Sequence, residues 1–185
     1  ATHQKGSITA NAGYEPYSHP EAEQLSRLQF ETMTPWASVR HDFYTFELAM
    51  IYLKSHRPRI LFLSLGETDD WAHEGNYGRT LEALRQSDDR MRQLWDYLRG
   101  TPQYQGKTTI VLTTDHGRGT AKEWRHHGSK IKEAEYCWVA IVSPDLGARG
   151  EWSETKPIYL NQIAPPCALS WVLTMGRHIP RPASR

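Results

Sequence analysis

Residues 59–73 read Arg59-Ile-Leu-Phe-Leu-Ser-Leu65 and then Gly66-Glu-Thr-Asp69-Asp-Trp-Ala-His73. A short, nearly continuous apolar run thus passes directly into acids and a histidine. A run of this length behind a helical pattern predicts a strand buried on both faces, as in a parallel sheet. In front of it, Val39, Phe43, Phe46, Met50 and Leu53 recur at spacings of three and four. They predict a helix from Val39 to about His56, closed by Pro58.

Behind the run, Gly66–Gly78 reads as a polar loop. Residues 79–98 give the clearest helix, with Leu81, Leu84, Met91, Leu94, Trp95 and Leu98 on one face. Thr108–Thr114 is rich in β-branched residues and predicts a second buried strand. A polar loop over Asp115–Glu135 follows, and Tyr136–Val142 predicts a third strand. Residues 1–20 read as an irregular leader and 21–33 as a weak helix broken by Pro35. Ile163–Met175 reads as a helix with Pro165 and Pro166 in its first turn. Strands alternating with helices predict an α/β fold, a mainly parallel β-sheet flanked by helices, in one domain over 1–185.

Composition narrows the function classes. The net charge of the 185 residues is +1, from 22 basic and 21 acidic side chains, which points to neither a nucleic-acid nor a membrane partner. Mean hydropathy is −0.67, yet seven Trp and nine Tyr provide a core to bury. The longest apolar runs fall far short of the ~20 residues of a membrane span. Ala1 opens the sequence with no initiator Met or signal peptide, as at a processing site or fragment edge. Cys137 and Cys167 form no CxxC pair, so no cysteine-based zinc site is indicated. A bridge between them stays open, against a free buried thiol at Cys137.

The chemistry collects where two strands end. Ligands in open α/β sheets lie outside the C-terminal strand ends, and both 59–65 and 108–114 run into acids and histidines. Asp69 and His73 are four apart, so one helical turn sets a carboxylate and an imidazole on the same side, an oxygen and nitrogen pair that suits zinc. Alone, the pair reads equally well as a helix cap and a surface histidine. Asp115 and His116 are adjacent donors, and Gly117 allows the backbone turn that lets them converge. His126 and His127 lie in the next loop, where Arg125 and Lys130 make a solvated basic stretch the plainer reading.

Together these motifs resemble the alkaline phosphatase superfamily, in the branch of type I phosphodiesterases, nucleotide pyrophosphatases and sulfatase-like proteins. Glu67-Thr-Asp69-Asp-Trp-Ala-His73 is similar to that branch's acid–x–Asp–x–x–x–His segment, Thr114-Asp115-His116-Gly117 to its TDHG signature, and His127-Gly128 to its late His–Gly. The resemblance runs in the family's order from Asn11 to Ala164 and marks this chain as the C-terminal portion of such a fold. It implies two divalent ions, most simply zinc, with manganese or calcium as alternatives. Asp69, His73 and His127 would hold one ion, and Asp115 and His116 the other.

The remaining ligands and the nucleophile belong to the family's N-terminal half, which no segment here matches. A Cys-x-Pro-x-Arg sulfatase pattern is also missing from the sequence. The resemblance therefore implies a hydrolase of a small anionic phosphate or sulfate ester, completed by that half. The isolated chain is expected to bind metal without turning over ester. Glu67 and Asp70 are candidates to orient the histidines, Glu74 is equally a surface acid, and Arg118 is a candidate substrate contact. A non-catalytic metal-binding module and a phosphoglycerate-mutase-like phosphotransferase are the competing readings. A periplasmic or extracellular location follows from the resemblance alone.

Overall fold

A computed structural model of the protein describes residues 18–36, 39–148, 150–151 and 157–163. The chain divides into two compact units, Ala1–Pro144 and Asp145–Arg185. In the second, the described structure is a single 3₁₀ turn at Leu160–Gln162. The helix expected from Ile163 to Met175, Cys167, and the leader as far as residue 17 lie outside the described residues.

Among its described residues, the first unit contains four α-helices: α1 (Pro20–Glu31), α2 (Asp42–His56), α3 (Glu67–His73) and α4 (Tyr77–Gly100). Two short strands follow, β1 (Ile110–Thr113) and β2 (Val139–Val142). Local chemistry explains the helix ends. Pro20 sits in the first turn of α1, where its missing N–H costs nothing. Asn76 Oδ1 accepts from Arg79 N at 3.1 Å and caps α4. Arg85 bridges Glu82 and Asp89 along the exposed side of α4, at helical spacings of three and four.

The core lies on both sides of α2. Phe46, Met50 and Leu53 pack with Leu94, Leu98 and Tyr104, while Leu48 and Ile51 pack with Ala22 of α1. Phe46 is only 2 % exposed, and burying each such side chain contributes roughly 1.5–3 kcal/mol. The expected stripe on α2 is present from Phe46 onward, but Phe43 is exposed. On α4 the buried line is Ala83, Arg90, Leu94 and Leu98, and Leu81 and Leu84 face outward.

The mainly parallel sheet expected from the sequence is not the observed fold. Among its described residues the first unit is mainly helical, with one antiparallel pair running from Ile110 opposite Val142 to Thr113 opposite Val139. The connection between the strands explains the direction. A parallel return requires a crossover, usually helical, and the described residues between β1 and β2 hold only 3₁₀ turns at Ala121–Glu123 and Lys132–Glu135.

Residues 59–65 form no ladder among the described residues. Leu61 and Leu63 pack against the α2–α4 core, while Ile60 and Phe62 are 63 % and 89 % exposed. The segment is therefore buried on one face only, and its apolar composition did not reveal which. The predicted third strand is likewise exposed, with Tyr136, Cys137 and Trp138 all at the surface and the Cys137 thiol free.

Candidate metal centre

The expected loop over residues 66–78 contains α3, a helix of two turns held from both ends. At its start the backbone N–H groups of Gly66 and Glu67 donate to Asp42 Oδ1 and Oδ2 at 2.7 and 3.2 Å. Glu67 returns the contact, its Oε1 accepting from Asp42 N at 2.8 Å and facing His41 Nδ1 at 2.9 Å. Asp42 is 1 % exposed, and burial raises its carboxyl above the usual range despite those two amides. At the C-terminal end, Arg125 Nε and Nη2 donate to the His73 carbonyl at 3.1 and 2.7 Å. Gly75, at φ +72°, lets that guanidinium lie against the backbone, because a Cβ there would stand 2.9 Å from Arg125 Nε.

Held in this way, Asp69 and His73 project together from α3. His73 Nε2 lies 3.4 Å from Asp69 Oδ2. The loop that Arg125 fastens delivers His127, with its Nε2 2.9 Å from His73 Nε2 and 3.7 Å from Asp69 Oδ1. His116 joins from beyond β1, its ring stacked on His127 at 3.8 Å and its Nε2 3.6 Å from Asp69 Oδ1. A backbone carbonyl only accepts, so the 2.8 Å contact of His116 Nδ1 with Gly117 O places the proton on Nδ1.

The cluster is suited to a cation. Asp69, His73 and His127 offer one oxygen and two nitrogens within 4.8 Å of one another. Donors ~2.0–2.1 Å from a tetrahedral zinc lie roughly 3.3 Å apart, and His73 Nε2 stands near that spacing from both His127 Nε2, at 2.9 Å, and Asp69 Oδ2, at 3.4 Å. Burial, then repulsion from His116, His73 and Arg118, pushes the His127 imidazole below its ordinary pKa, keeping its lone pair free.

Arg118 also turns inward. Its Nη2 donates to the Asp69 carboxylate and, at 2.9 Å, to the Asp69 carbonyl, and burial lowers its pKa. His126 is exposed and stands outside the group.

Other expected residues are placed differently. The Asp115 side chain is 91 % exposed, with its Oδ1 3.8 Å from His116 Nε2. Glu67 is directed at His41 and Asp42 and joins α3 to α2. Burial raises the Asp70 carboxyl against the pull of His73, and Glu74 is exposed. Gly117 does not use a left-handed backbone. It is needed for close packing, since a Cβ there would lie 2.4 Å from the Tyr136 carbonyl oxygen. Sequence reasoning missed Asp42 and His41; an acid opening a helix was the available signal.

An acid–histidine cluster gathered by a short helix and two loops defines a metal-associating protein of the hydrolase class. The family model for type I phosphodiesterase / nucleotide pyrophosphatase matches residues 3–164. The chain belongs to that family, part of the alkaline-phosphatase superfamily. No curated protein and no solved structure matches it. Among the described residues, no helix is long and apolar enough to cross a membrane.

Proposed function

We propose that this chain is the metal-binding part of a hydrolase that cleaves phosphate or sulfate esters by two-metal in-line displacement. The convergence of Asp69, His73 and His127 carries the reading. These three residues would hold a first ion, zinc by preference, because calcium favours an all-oxygen shell. His116, with Asp115 swung inward, would hold a second. Ions so placed would neutralise the transferred group and stabilise the entering and leaving oxygens.

Arg118 would hold the ester anion once released from Asp69, since a guanidinium fork matches a tetrahedral oxyanion. The nucleophile and further ligands would come from the N-terminal half of the fold. Ile60 and Phe62 offer exposed apolar surface for it. Location outside the cytoplasm is part of the same reading.

Bis(4-nitrophenyl) phosphate tests the activity. The 185 residues alone should give no rate above that of free zinc. Protein that also carries the nucleophile-bearing half should hydrolyse it and lose activity in Asp69→Ala, His73→Ala and His127→Ala. Undiminished turnover in those variants would remove the metal reading. The outward Asp115 favours a second reading, a one-ion binding module, for which the completed protein would bind zinc and stay inactive.

A further inference from the structure

A cavity of about 230 Å³ lies between the start of α2, α3 and one face of α4. Glu67 and Trp71 line it, one helical turn apart on α3, whereas Asp69 and His73 project into the metal cluster. The cavity is thus separate from the candidate metal centre.

Its α4 wall carries two arginines, Arg79 and Arg90. Arg90 is 8 % exposed; its Nη2 donates to Gln86 Oε1 at 3.3 Å, and its Nη1 is buried with no hydrogen-bond partner. A buried guanidinium nitrogen without an acceptor costs free energy that an anion would recover. Arg79, also on the wall, lies 5.8 Å over the Trp71 ring and has no ion pair among the described residues.

The nearby acids compensate only through space, Arg90 acting on Asp42 and Arg79 on Glu82, and leave Arg90 Nη1 without an acceptor. Glu82 is engaged by Arg85 and Gln86, Glu67 by His41 and Asp42 N, and Asp42 by two backbone amides. Phe43 and Trp71 supply apolar wall. A cavity of ~150 Å³ admits benzene, so this one has room for a ring and a charged head.

We propose that the cavity is a binding site for a small aromatic carboxylate, its carboxylate held by Arg90 and Arg79 and its ring against Trp71 and Phe43. Such a pair of cations beside aromatic faces matches both ends of the molecule.

Calorimetric titration of the metal-free chain with benzoate, in buffer freed of metal by a chelating resin, tests it. The expected result is saturable uptake of about one benzoate, weakened at least about tenfold in Arg79→Gln and Arg90→Gln. Arg92→Gln on the surface of α4 and Asp69→Ala in the metal cluster should bind as the parent does. Arg79 is exposed, so its variant keeps the test valid should Arg90→Gln fail to fold. No saturable uptake, unchanged affinity in Arg79→Gln, or loss of binding in Asp69→Ala would each overturn the proposal. Inorganic phosphate binding as tightly as benzoate would overturn the aromatic assignment.

Discussion

Asp42 and Glu67, 25 residues apart, cap each other: the Asp42 carboxylate takes the N–H groups that open α3, and the Glu67 carboxylate takes the N–H of Asp42. The reciprocal contact fixes the α3 axis, and hence the direction in which Asp69 and His73 leave it. Asp42→Ala should cost about 1–2 kcal/mol, the range for a lost cap, in urea unfolding. Zinc affinity should fall with it, although Asp42 is no ligand. A stable variant with unchanged zinc affinity would show that α3 is positioned by other contacts.

The Asp42 carboxyl also sets a pH dependence. Burial raises its folded-state pKa above the ordinary value of 3.8. The folded state therefore holds this proton more tightly than the unfolded chain does. At neutral pH its ionisation is a cost to folding, relieved as pH falls through the raised pKa toward 3.8. Stability of the parent relative to Asp42→Asn should therefore rise between pH 7 and pH 4.5, measured by urea unfolding at both. Movement in the opposite direction would mean that the two amides outweigh burial.

His127 and His126 are adjacent but unequal. His127 Nε2 meets His73 Nε2 at 2.9 Å, while His126 is exposed. His127→Ala should weaken zinc binding by about 100-fold or more and His126→Ala by less than about threefold. Equal losses would place the loop one residue out of register.

Gly117 tests how closely the His116 loop is packed. A Cβ there would meet the Tyr136 and Glu133 carbonyl oxygens at 2.4 and 2.5 Å. Gly117→Ala should lower stability by ~1–3 kcal/mol, as overpacking does, and displace His116 from the His127 ring. A fully stable variant with His116 in place would contradict that packing.

The site was more legible in the sequence than the fold. Asp69 and His73 were readable because i, i+4 spacing is a property of one helix, and α3 needs no distant partner to bring them together. Gathering His116 and His127 to them required long-range contacts, and the family resemblance supplied that step. The sheet was misread because Ile60–Leu65 and Tyr136–Val142 are apolar without being buried on both faces. Composition records that a segment is apolar but not how many neighbours cover it. The direction of β2 was decided by a connection with no crossover helix. Asp115 shows the same limit at the site, since adjacency to His116 in sequence did not turn its carboxylate inward.

Asp69, His73 and His127 are proposed to form one metal site. Three protein ligands leave an open position, as in catalytic zinc centres, whereas His116 with an outward Asp115 offers too little to hold an ion firmly. Equilibrium dialysis of the 185-residue chain against zinc measures this most directly. About one tightly held ion per chain is expected, lost in Asp69→Ala, His73→Ala and His127→Ala and retained in Asp115→Ala. No tight zinc, or tight zinc that survives all three substitutions, would contradict it.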